Sequence, residues 1–206
     1  MAKGIYIFKA FRSLLPSQER SPFYYNLTAR LTQNLKLHYT SSRYYFLWAV
    51  IADRLVRAGS ASLLDLGCGS GQFACFMRDK GINNYIGVDF SSYRIQLAKK
   101  TCPKYTFFQA DIFSTDLFDL TAYDTVIALE FLEHIERDLE VLARVRQGSQ
   151  VYATVPDFSS PGHVRYFKSA AQVESRYKSY FDTMKVDFFI AESGRKTYYL
   201  IDGVKN

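Results

Sequence analysis

The 206 residues are 48% hydrophobic and 22% charged, globular values that exclude wholesale disorder and fit one domain of ordinary size. Twenty-six basic against 20 acidic residues leave a net +6, compatible with nucleic acid, a phosphorylated metabolite or a membrane surface but too mild to choose among them. No apolar run reaches the length of a membrane span, and three cysteines without a C-x-x-C pair or a signal peptide point to reduced thiols in a cytoplasmic protein.

Residues 1–20 mix Lys3, Lys9, Arg12 and Arg20 with Ile5, Tyr6, Ile7, Phe8, Phe11, Leu14 and Leu15. That composition fits a helix docking on the domain or on a partner, and a membrane-surface helix shares it. Residues 23–57 read as two aromatic-rich helices broken near Thr40-Ser41-Ser42. The second places Tyr44, Leu47, Trp48, Ile51 and Leu55 at helical spacing, a core-facing stripe. Tyr39, Arg43 and Tyr44 lie just before the next unit, where a lid would cover a ligand, which makes them candidate substrate contacts.

From residue 60 strands and helices alternate. Strands are predicted at Leu63–Leu66, Tyr85–Asp89, Tyr105–Gln109, Thr125–Leu129 and Gln150–Val155. Helices are predicted after Gly71, after the Ser91 cap, over Leu132–Arg146 and near Ala170–Tyr180. Val186–Ala191 and Lys196–Ile201 close the chain as two strands joined by a short turn at Gly194, hence antiparallel neighbours. The pattern predicts an α/β three-layer sheet, mostly parallel with a final antiparallel strand and an N-terminal helical extension. The extension takes residues 1–57 and the α/β unit 58–206.

The first strand runs into Asp65-Leu-Gly67-Cys68-Gly69-Ser-Gly71. Alternating glycines let the chain turn tightly and let a ligand lie on the backbone at a helix N-terminus. The spacing is G-x-G-x-G rather than the dinucleotide G-x-G-x-x-G, and Asp65 would repel a pyrophosphate but attract a cation. This D-x-G-x-G-x-G run resembles motif I of the class I S-adenosylmethionine (SAM)-dependent methyltransferases, a Rossmann-like family. The resemblance implies that the turn, with Asp65, cradles the methionine half of SAM. Cys68 is a small filler within it. Asp89, ending the second strand, is positioned for the ribose hydroxyls, and Phe90 offers a face for the adenine. In the family an acidic residue after the third strand receives the adenine amino group, which here is Asp111, with Ile112 as a packing contact.

Leu129-Glu130-Phe-Leu-Glu133-His134 follows the fourth strand, at the carboxyl edge where open parallel sheets bind ligands. On a helix, Glu130 and His134 would share one face. Two readings stand open. In many small-molecule methyltransferases a similar run lines the transfer cleft without metal, and His134 serves as the base. In small-RNA 3′-end 2′-O-methyltransferases a similar run joins later histidines around a divalent cation. His163 is the sole later histidine here, and the paired histidines of that subfamily are absent. Within the loop after the fifth strand, His163, Arg165 and Tyr166 are candidate acceptor contacts, Arg165 for an anionic group.

The expectation is therefore a SAM-dependent methyltransferase acting on a small-molecule oxygen or nitrogen, with His134 as base, Glu130 lining the cleft and no metal. A metal-assisted RNA 2′-O-methyltransferase and a non-catalytic SAM-binding partner subunit are the alternatives. Nucleic acid is not the favoured partner.

Overall fold

A computed structural model describes residues 18–191 and 194–206; the expectations for residues 1–17 lie outside the described residues. Helix α1 (Pro22–Leu31) and two short 3₁₀ turns (Gln33–Lys36 and Tyr39–Ser41) lead into α2 (Tyr45–Ala58). There follow β1 (Ser62–Leu66), α3 (Gln72–Asp79), β2 (Asn84–Asp89), α4 (Ser92–Thr101), β3 (Thr106–Gln109) and a short α5 (Leu117–Leu120). The second half comprises β4 (Thr125–Leu129), α6 (Asp138–Arg144), β5 (Gln150–Pro156), α7 (Ala170–Tyr177), β6 (Phe181–Ala191) and β7 (Lys196–Lys205).

The seven strands form one sheet in the order β3-β2-β1-β4-β5-β7-β6. β1 to β5 pair in parallel, and β7 runs antiparallel between β5 and β6. Strand order reverses between β1 and β4, which opens a crevice at their carboxyl ends. Because β7 is reversed, its first residue, Lys196, reaches the same edge as the ends of the parallel strands.

Alternate strand residues face opposite layers. Leu63, Ile127, Tyr152 and Leu200 pack under Leu47, Ile51 and Leu55 of α2 and Phe73, Phe76 and Met77 of α3. Leu64, Val126, Val151 and Ile201 face Phe118, Val141, Leu142, Val173 and Tyr177. The second aromatic-rich helix is thus built into the sheet core, and the segment outside the three layers ends near residue 44.

Two expectations are corrected. The helix predicted over Leu132–Arg146 is a 3₁₀ turn at Leu132–His134, an extended Ile135 and then α6. Glu130 has φ 52 and breaks the helical period, so Glu130 and His134 do not share a helical face. The final strands extend further than predicted, because pairing with β5 and β6 carries β7 through polar Asp202 to Lys205.

A second buried feature fixes the crevice from behind. Asp138, at the start of α6, accepts from Nε and Nη2 of Arg176 and from the Tyr177 hydroxyl. Arg165 lies 3.2 Å from the same carboxylate and donates to the carbonyls of Leu132, Ile135 and Glu136. One guanidinium thereby satisfies the backbone acceptors of a turn that has no helix to do so.

Candidate active site

A cleft of about 1530 Å³ opens along the carboxyl edge of the sheet. At the β1 end it is lined by Asp65, Gly67, Cys68 and Gly69. Gly67 has φ 74, and a Cβ there would stand 2.6 Å from the Phe131 ring. A Cβ on Gly69 would meet nothing nearer than a backbone oxygen at 4.0 Å, so this glycine leaves a cradle open. Gly71 does not line the cleft. It caps α3 with φ 77, and a Cβ would come within 3.0 Å of Ala98, so its work is the close approach of α3 to α4.

Asp65 is buried and accepts a hydrogen bond from the Tyr85 hydroxyl. Desolvation pushes its carboxyl up to about 7, against the lowering effect of that bond. Asp89 is also buried, accepting from the Gly69 and Ser91 backbone N–H groups at 3.1 and 2.8 Å. Burial raises its pKa, and Arg94, 3.8 Å away, opposes the rise. Phe90, Asp111, Ile112 and Leu129 complete this half of the lining. Asp111 also accepts from Phe113 N–H at 3.0 Å, the turn-forming bond of an Asx turn.

The other half gathers at the ends of β4, β5 and β7. The Glu130 carboxylate accepts from Thr154 Oγ1 at 3.2 Å, while its own N–H donates to that hydroxyl at 2.8 Å. Among the described residues Glu130 is the one non-glycine with positive φ, and such strain concentrates at functional sites. Burial pushes its pKa up to about 7, against bonds from Thr154 and Tyr44 and the charges of Arg43 and Lys196. Arg43 stacks on Tyr44 at 4.7 Å from the ring centroid, and both line the cleft with His163, Phe158 and Lys196.

His134 is held differently from the expectation of a free base. Its Nδ1 lies 2.8 Å from the Gly162 carbonyl and 3.0 Å from the Tyr25 hydroxyl. A carbonyl only accepts, so Nδ1 carries the proton and Nε2 the lone pair. Desolvation, with His163 alongside, lowers its pKa to about 3. Nδ1 of His163 lies 3.1 Å from the Phe158 carbonyl, which leaves its Nε2 as lone-pair nitrogen as well. Glu133 is fully buried beside them, its Oε1 3.9 Å from His134 Nε2, and neither carboxylate oxygen has a hydrogen-bond partner among the described residues. Burial and the Glu130 charge raise its pKa well above the usual range.

Three predicted acceptor contacts lie elsewhere. Tyr39 packs on Phe76 and donates to Asp79. Arg165 is absorbed by carbonyls and Asp138, as above. Tyr166 is exposed, with Lys168 over its ring. None of the three lines the cleft. Sequence reading expected a lid at Tyr39, Arg43 and Tyr44 but did not single out the α1 residues. Tyr24, Tyr25, Thr28 and Thr32 of the α1 region line the cleft from above. Asn26 accepts from the Ser91 hydroxyl and Tyr93 N–H, and Gln72 donates to the Asn34 and Leu37 carbonyls. The aromatic content of the segment was visible, but its partners across the cleft lie as far as 109 positions away for Tyr25 and 117 for Glu19.

Residues 64–148 match a family model described as a methyltransferase domain. Among solved structures, magnesium protoporphyrin IX methyltransferase from Synechocystis PCC 6803, with S-adenosylhomocysteine (SAH) bound, aligns with TM-score 0.59 and 16% identity over 78% of this chain and 82% of its own. The methyltransferase domain of bacterial CtHen1 aligns with TM-score 0.59 and 18% identity, covering 79% of this chain and 100% of its own. The [4+2]-cyclase SpnF shares the fold at TM-score 0.70 and 14% identity over 93% of this chain and 97% of its own. No curated protein sequence matches the chain. The chain thus carries a match to a methyltransferase-domain model over residues 64–148, within a fold shared with SAM-dependent methyltransferases. It is an enzyme of SAM-dependent methylation, and SAM is its cofactor.

Proposed function

We propose that this enzyme methylates an oxygen or nitrogen of a small molecule enclosed beneath the roof formed by residues 18–44, with Glu130 taking the acceptor proton. Bound in the cleft, SAM supplies an electrophilic methyl group for in-line displacement. The residues fit such a donor. The Gly69 cradle is open, Asp65 offers a carboxylate to an ammonium group, and Asp89 is aligned by two backbone N–H groups to accept from vicinal hydroxyls. Phe90, Asp111 and Ile112 then face the base, and the roof excludes water. The carrying observation is the shared cleft, which joins the glycine turn to the Glu130 end under one cover.

Glu130 replaces His134 as the proposed base. A base works best with a pKa near the working pH; that of Glu130 lies at about 7 and that of His134 at about 3. The acceptor's X–H proton passes to the Glu130 carboxylate as the new X–CH₃ bond forms. Glu130→Gln should lower kcat by about 10²- to 10⁴-fold and remove the rise in rate with pH near 7, with SAH affinity retained. A variant as active as the parent would sink the assignment.

A metal-assisted reading draws on a separate observation. Ligand atoms of Glu133, His134 and His163 lie within 4.8 Å of one another. Both imidazoles hold their Nδ1 protons on backbone carbonyls, as metal-ligating histidines do. A buried carboxylate without a partner needs either a proton or a cation. Such an ion would act as a Lewis acid on an acceptor oxygen, and O-methylation would follow. Calorimetric titration with Mn²⁺ or Mg²⁺ tests it: binding abolished by His163→Ala supports the reading. Activity undiminished by chelator and by His163→Ala excludes it.

A further inference from the structure

The net charge is not spread along the chain. Residues 1–52 hold seven of the 26 basic residues and one of the 20 acidic ones, Glu19. The remaining 19 basic and 19 acidic residues cancel, so the whole +6 resides in the first quarter of the protein. Between Arg20 and Ala52 there is no acidic residue at all.

That same stretch carries an apolar face that is exposed among the described residues. Helix α1 buries Thr28 and Ala29 and turns Tyr25 and Thr28 to the cleft. Phe23 and Leu27, one turn apart, point away, 73% and 44% exposed, while Leu31, next in the row and 56% exposed, stands at the rim and also lines the cleft. Neither Phe23 nor Leu27 lines the cleft, so catalysis beneath the roof does not account for them. Arg30 and Lys36 are exposed alongside, and the sequence before Arg20 adds Lys3, Lys9 and Arg12 among further apolar residues.

We infer that the outer face of α1 is a docking surface for an anionic lipid bilayer. Phe23 and Leu27 enter the boundary between headgroups and acyl chains, and Arg30 and Lys36 remain at the phosphate level. RNA explains the cations but not Phe23 and Leu27 turned to solvent together, because a nucleic-acid surface offers rings for Phe23 to stack on but no apolar phase for Leu27. A bilayer accounts for both. Docking in this orientation brings the cleft roof to the membrane surface, independently of which acceptor the cleft holds.

The test is co-sedimentation of the full chain with phosphatidylcholine vesicles, with and without phosphatidylglycerol. Binding is expected only with the anionic lipid, weakening as salt is raised. Phe23→Asp with Leu27→Asp should abolish it while SAH affinity is unchanged, which also reports that the variant is folded. Arg30→Glu with Lys36→Glu should weaken it by at least about fivefold per residue, the effect of losing one surface cation. Absence of vesicle binding by the parent chain overturns the inference. So does undiminished binding by the Phe23/Leu27 variant, or capture by single-stranded RNA in preference to anionic vesicles.

Discussion

Replacing Asp65 with Asn separates the stability of the fold from its proposed task of binding the donor. Asp65 is buried and its pKa is pushed from 3.8 to about 7. Each unit corresponds to 1.36 kcal/mol, so above pH 7 the ionised carboxylate costs the empty fold about 4 kcal/mol. The sign follows from proton linkage. Between pH 4 and 7 the folded state binds the extra proton, so the parent loses stability as pH rises through that window and levels off above it. Asparagine removes this penalty and still accepts from the Tyr85 hydroxyl, but its amide N–H groups need partners, at a cost of about 1–3 kcal/mol. The net gain at pH 8 is about 1–3 kcal/mol, or roughly 5 °C in Tm for a chain of this size, vanishing toward pH 5. If the carboxylate pairs with the donor's ammonium group, the rise in Tm produced by SAH should shrink in the same variant. The measurement is thermal unfolding of both proteins at pH 5 and 8, with and without SAH. A variant less stable than the parent at pH 8 would refute the desolvation argument. An unchanged SAH shift would refute the pairing.

Other outcomes follow from the same geometry. Gly67→Ala places a Cβ 2.6 Å from the Phe131 ring at φ 74, and should cost about 1–3 kcal/mol by urea denaturation along with donor affinity. Asp138→Ala strands Arg165 and Arg176 around a buried vacancy; a loss of about 3–5 kcal/mol is expected, and a neutral result would mean that the turn at Leu132–Ile135 holds without it. Gln72→Ala removes both side-chain bonds to the 33–37 segment. It should speed SAH release in stopped-flow displacement, with little change in Tm.

Much of the scaffold was legible because it is local. Apolar strands ending in glycine or aspartate, and the Ser91 cap with its bond from Arg94 N–H, are written within a few residues of one another. The places of Asp65, Asp89 and Asp111 along the cleft were legible for the same reason: each lies within two residues of a strand end. The segment from 130 to 138 was not. Its composition scans as helix, but the positive φ of Glu130 and the carbonyls claimed by Arg165 hold it in another shape, and no periodicity encodes an ion hub assembled from three distant elements. Arg165 looked like an anion-binding loop residue for the reason that it is one, except that its anion is Asp138. A lid was expected from the aromatic content before residue 57, but the α1 residues that form it were not named, because their bonds are made by single polar side chains across the cleft.

That roof has a kinetic corollary. Asn26 and the 33–37 segment tie it to the donor wall, and Tyr25 ties it to His134 on the acceptor side. Lifting it for one occupant breaks the ties over the other, so the two halves of the cleft share a gate. If the cleft holds donor and acceptor as proposed, release of spent donor and of methylated product would be coupled through that one movement.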